Sequence, residues 1–115
     1  MENKKLRKRD RVLNVVKAGA NIILISSTLG VQQHTGATAT IYRASKAAVN
    51  NVMVSVSEEL KSDNITVVSF HPGWVRTDMG GVNATLSAEE SAKELIKSFE
   101  GLSFKDTGKF FNYDG

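Results

Sequence analysis

The stretch that most constrains this chain is Asn21-Ile22-Ile23-Leu24-Ile25-Ser26-Ser27, a continuous apolar, β-branched run that stops at a pair of hydroxyls. A run without polar alternation suits a strand buried on both faces, as in a parallel sheet covered by crossover helices. The rest of the chain supplies matching parts. From about Thr40 to Ser62 the spacing predicts a long helix, with Ala48, Val49, Val52, Met53, Val56 and Leu60 forming an apolar stripe. Ile65 to Phe70 predicts a second strand, broken by His71-Pro72-Gly73-Trp74. Ser87-x-x-Glu90 is a capping-box pattern ahead of Ala92, Leu95, Ile96 and Phe99, so another helix should run to about Glu100 and stop at Gly101. Lys109 to Tyr113 reads as a short last strand, and residues 6 to 18 as a first helix ending near Gly19. Helix, strand, helix, strand, helix, strand implies an α/β layer with right-handed crossovers and about three parallel strands.

At 115 residues the chain suits one small domain, short for a cofactor-binding sheet with helices on both faces. Residues 1 to 19 are expected to be a basic arm or helix and residues 20 to 115 the folded body. The net charge of +3 is unevenly placed: residues 1 to 11 carry six Lys/Arg against two acids, leaving nine against ten elsewhere. Lys4-Lys5-Leu6-Arg7-Lys8-Arg9 is read as a solvated arm rather than a nucleic-acid or membrane-surface site. No segment reaches transmembrane length, so a soluble protein without a membrane partner is expected. The absence of cysteine rules out disulfides and thiolate metal sites and fits a reducing, cytoplasmic setting. His34 and His71 lack metal-ligand spacing, so no metal is expected and His34 is read as a loop residue.

Chemistry concentrates around Tyr42-Arg-Ala-Ser-Lys46, which sets a phenol and an ammonium one helical turn apart, shortly after the serine pair. A fixed cation close to a phenol oxygen favours the tyrosinate, which makes Tyr42 a candidate proton donor and acceptor. Loops leaving the ends of parallel strands are where such groups gather.

Three pieces in this order, Ile25-Ser26-Ser27-x-x-Gly30, Tyr42-x-x-Ser45-Lys46 and Pro72-Gly73-Trp74-Val75-Arg76-Thr77, resemble the C-terminal half of a short-chain dehydrogenase/reductase. The closing pattern, from Asp78-Met79-Gly80-Gly81 to Gly108-Lys109-Phe110-Phe111-Asn112-Tyr113-Asp114-Gly115, is similar to the C-factor-like branch of that family. The resemblance spans residues 20 to 115 and implies part of a Rossmann-like, doubly wound parallel sheet. It implies an oxidoreductase interconverting carbonyls and alcohols with NAD or NADP. In that scheme Tyr42 exchanges a proton with the substrate oxygen, Ser27 orients that oxygen, and Lys46 tunes Tyr42 and holds the nicotinamide ribose. Pro72, Gly73, Val75 and Thr77 would meet the nicotinamide.

The family's glycine-rich phosphate turn, Gly-x-x-x-Gly-x-Gly, does not occur in these residues, nor does its Asn-Ala-Gly motif. Asn14 lies too close to Ser27 to stand for the family's catalytic asparagine. The chain is therefore expected to be a truncated member, inactive by itself, whose first strand keeps an open edge. A non-catalytic module pairing with a full-length relative, or with itself as a homo-oligomer, is the alternative reading.

Overall fold

The computed structural model describes residues 16–30 and 39–115. The expected basic arm, most of the first expected helix, Asn14 and His34 lie outside the described residues. Residues 16–20 form a turn rather than a helix end. Gly19 has φ +85° there, and its N–H donates to the Asn64 carbonyl at 2.9 Å.

Five elements carry the fold: β1 (Asn21–Ile25), α1 (Thr40–Leu60), β2 (Thr66–His71), α2 (Ala88–Glu100) and β3 (Phe110–Asn112). The strands form one parallel sheet in the order β1-β2-β3, with Ile23 opposite Val68 and Phe70 opposite Phe111. β2 lies in the middle and is buried from Thr66 to Phe70. Alternation along β2 splits its side chains between two layers. Val67 joins Met53, Leu60 and Ile65 in the core, against Ile22, Leu24 and Val56, while Ser69 donates to Asn50 Oδ1 of α1 at 3.1 Å. Phe70 points the other way, edge-on to Phe99 of α2 at 5.0 Å and stacked with Phe111 at 5.3 Å.

The two helices therefore cover opposite faces, as in a doubly wound sheet. With strands in simple sequential order, helices on opposite faces require crossovers of opposite hand. The expectation of right-handed connections throughout is thus corrected for one of the two. A tight β-α-β unit is held to one hand by strand and helix twist. The connection between β2 and α2 is not tight: residues 72–87 fold back on themselves through a bridge between Val75 and Leu86. That excursion lets the chain change faces.

Two burial expectations are also corrected. β1 is only partly covered, with Ile25 48% exposed, because among the described residues no strand lies on its outer side. For the same reason the α1 stripe is narrower than its apolar residues suggest. Met53 and Leu60 are buried, Val49 and Val56 half-buried, but Val52 is 53% exposed and Ala48 is exposed. The helix overhangs a sheet too narrow to bury its whole apolar arc.

α2 begins as its sequence pattern requires. Ser87 Oγ accepts from the Glu90 N–H at 3.0 Å, and Glu90 Oε1 accepts from the Ser87 N–H at 3.0 Å. No helix among the described residues is long and apolar enough to cross a membrane.

Candidate active site

The C-terminal ends of β1 and β2 open into a cleft of about 790 Å³ whose lining includes Ser27, Tyr42, Pro72, Gly73, Val75 and Thr77. Each of these reaches the cleft by a local cause. Beyond Ile25 the chain turns through a 3-10 segment, Thr28–Gly30, in which Ser27 Oγ accepts from the Leu29 N–H at 3.1 Å. Gly30 makes the turn possible, because a Cβ there would lie 2.7 Å from the backbone carbon of Lys46. The serine-bearing turn and the helix bearing Tyr42 thus meet backbone to backbone. The two serines divide their work: buried Ser26 donates from Oγ to the Lys46 carbonyl at 3.4 Å, and Ser27 is left on the cleft.

Tyr42 sits on the first turn of α1, half-buried. Lys46, one turn on, holds its ammonium 5.6 Å from the centre of the Tyr42 ring and 3.5 Å from the Ile25 carbonyl. The cation therefore meets the electron-rich ring face and the end of β1. It does not line the cleft, so of the three residues expected to act together, two share the cavity and the third stands behind one of them.

The segment after β2 is held by a dense set of backbone contacts. Gly73 has φ +90°, and a Cβ there would fall 2.3 Å from Leu86 and 3.0 Å from the Tyr113 ring. Gly80 is tighter, with its would-be Cβ 1.8 Å from the Val75 carbonyl oxygen. Around it, Thr77 Oγ1 accepts from the Gly80 N–H at 3.0 Å, and Trp74 Nε1 donates to the Gly80 carbonyl at 2.8 Å. From α2, buried Ser91 donates to the Pro72 carbonyl at 2.6 Å.

Further cleft residues were not singled out by sequence reasoning: Leu29, Trp74, Met79, Ser91, Leu95 and His71. The signal for His71 was available, since it stands two residues after Ser69 on the face of β2 that looks toward α1. Burial lowers its pKa below the ordinary imidazole value. Among the described residues no group of three or more His, Cys, Asp or Glu is gathered to hold a metal.

The donor set suits a flat, partly apolar heteroaromatic ring with an amide and a ribose better than it suits a polyphosphate. Residues 72–75 and Thr77 line the cleft beside Tyr42, and its lining is mostly apolar. Among the described residues there is no glycine-rich strand-to-helix turn that could aim backbone amides at a pyrophosphate.

A parallel sheet with helices on both faces and a largely apolar cleft at its carboxyl end defines an α/β protein of the nucleotide-binding, Rossmann-like kind. The short chain dehydrogenase family model matches residues 11–90, and the chain belongs to that family of oxidoreductases. The chain is 37% identical over 113 residues to C-signal of Myxococcus xanthus, covering 96% of this chain and 68% of that protein. Among solved structures, the carbonyl reductase Sniffer of D. melanogaster superposes with a TM-score of 0.75 at 39% identity, over 91% of this chain and 44% of that one. An NADPH-bound carbonyl reductase from chicken fatty liver gives a TM-score of 0.75 at 38% identity, over 83% of this chain and 40% of that one. The chain thus spans less than half of either carbonyl reductase.

Proposed function

We propose that these residues form the proton-transfer half of an NAD(P)(H)-dependent carbonyl/alcohol oxidoreductase site. The observation that carries the reading is one cleft lined by both Ser27 and Tyr42, with the Lys46 ammonium against the Tyr42 ring. The NADPH in a related carbonyl reductase supports the choice of cofactor class. In this reading Ser27 Oγ holds the substrate oxygen, and Tyr42 gives that oxygen a proton or takes one from it. Lys46 stands by the Tyr42 ring and the β1 terminus, where it would reach a ribose hydroxyl. Pro72, Gly73, Val75 and Thr77 would bound the nicotinamide ring, and Ser91 fixes the carbonyl of Pro72. The cofactor, when bound, supplies hydride exchange at the substrate carbon.

The adenosine and pyrophosphate half of such a cofactor has no recognisable holder in this sequence, so the isolated chain is expected to turn over poorly or not at all. Oxidation of NADPH and NADH should be followed with simple aldehydes and ketones for the chain, and for a fusion carrying the N-terminal half of a carbonyl reductase ahead of residue 20. The expected outcome is turnover by the fusion alone, abolished by Tyr42→Phe. A fusion whose turnover survives Tyr42→Phe would sink the assignment of Tyr42, and robust turnover by the isolated chain would sink the claim of incapacity.

A second reading, a module that pairs with a full-length relative, is supported by the outer edge of β1, with half-exposed Ile25, and by exposed Val52. Co-expression followed by sizing tests it. A chain that stays monomeric beside the relative removes this reading.

A further inference from the structure

His71 closes a column of side chains that runs along one face of β2. Val67 is in the core with Met53 and Leu60, Ser69 donates to Asn50 on α1, and His71 is next in the alternation. On α1, Asn50, Lys46 and Tyr42 follow at four-residue steps on the facing side. The column ends at the cleft, whose lining includes His71 beside Tyr42 and Ser27.

The two nitrogens of this imidazole have different surroundings. Nδ1 is buried with no hydrogen-bond partner, whereas Nε2 is not among the buried unpartnered atoms. Among the described residues no hydrogen bond engages the ring, so Nε2 is the nitrogen open to the cleft. A proton on Nδ1 would create a buried N–H without an acceptor, a rarer and costlier orphan than a bare lone pair. The proton of the neutral ring therefore belongs on Nε2.

We propose that His71 offers its Nε2–H as a donor to a second acceptor atom of the carbonyl ligand, distinct from the oxygen that meets Ser27 and Tyr42. The proposal rests on the reading of the cleft as a carbonyl-compound site. Charging the ring would put a second proton on buried Nδ1, and burial accordingly depresses the pKa. The donor is thus uncharged at neutral pH and selects a neutral acceptor rather than gathering anions. Leu29, Trp74, Met79 and Leu95 wall the cleft with apolar surface. The ligand class that fits is a compact, mostly apolar ketone or aldehyde carrying one further acceptor.

Four near-isosteric ketones test this: acetophenone and 2-, 3- and 4-acetylpyridine, which differ by one ring acceptor whose position varies. Trp74 is the only tryptophan and stands on the cleft, so its indole N–H resonance reports binding without turnover or cofactor. At least one acetylpyridine should bind about five-fold more tightly than acetophenone, the worth of one net hydrogen bond. That ratio should fall to about one in His71→Leu and be kept largely in His71→Gln, which retains an N–H donor. Nitrogen-15 shifts of the ligand-free protein should show the Nε2–H tautomer. Equal binding of all four ketones, a ratio indifferent to His71→Leu, or the Nδ1–H tautomer overturns the proposal alone. Failure of every ketone to bind overturns it together with the carbonyl-site reading, and a retained ratio beside Tyr42-independent turnover overturns the catalytic reading alone.

Discussion

Gly80 shows how strictly a single residue can be fixed. A methyl group there would meet the Val75 carbonyl oxygen at 1.8 Å, and that atom is backbone, so no rotamer change relieves the contact. Gly80→Ala should therefore cost about 1–3 kcal/mol in urea unfolding. It should also shift the Trp74 indole signal, whose acceptor is the Gly80 carbonyl. His71 makes a prediction of opposite kind. Its pKa is lowered in the fold, so at mildly acidic pH the unfolded chain binds a proton that the folded chain does not. Stability should be full above the ordinary value of about 6.5 and should fall as pH drops below it, toward the depressed folded value. Melting curves between neutral and mildly acidic pH should be flatter for His71→Gln in that window. Ser27 and Tyr42 were legible from the sequence because their motifs are local. The positions of His71 and Gly30 beside them were not, because they depend on which neighbour a strand or helix brings alongside.

At the level of elements, the sequence was most informative where local bonding decides the outcome. The capping box at Ser87 and Glu90 specified the start of α2 before any tertiary contact was known. Ser87→Ala should lower stability by about 1 kcal/mol, read as a shift in the urea midpoint. The Glu90 carboxyl is held below the usual range first by the Ser87 backbone N–H, then by the Ser87 side chain, with Arg76 contributing less. Its pKa is depressed in the fold, so its contribution is present at neutral pH and is lost as pH falls through the carboxylate range. Glu90→Gln should flatten that acid limb in thermal melts. Helix faces were less legible, since the apolar arc of α1 does not reveal how wide a sheet lies beneath it. Met53→Ala should cost about 2–5 kcal/mol, whereas Val52→Ala should stay within about 0.5 kcal/mol in the same urea titration.

For the whole molecule, the parallel direction followed from the alternation of helices and strands, but the strand order and the change of face between α1 and α2 did not. Chirality rules describe short connections, and nothing in residues 72–87 announces a fold-back long enough to escape them. The ladder between β1 and β2 also sets the exchange behaviour of the edge. The Ser26 N–H donates to the Phe70 carbonyl, and the Thr66 N–H to Ala20. By the two-residue repeat of a parallel ladder, the Leu24 amide points toward β2 while those of Ile23 and Ile25 point outward. Hydrogen exchange should protect Leu24 and Ser26 and leave Ile23 and Ile25 fast. Slow exchange at Ile23 would mean that another segment or copy occupies that side.

The bond from Ser91 to the Pro72 carbonyl carries a consequence for how such a molecule could diversify. It rigs the opening at the end of the sheet to a helix on its far side, like a stay running to a mast. Small changes in how Phe99 seats against Phe70 would tilt that helix and alter the width of the opening. Ligand preference could then drift across descendants while Ser27 and Tyr42 stayed untouched.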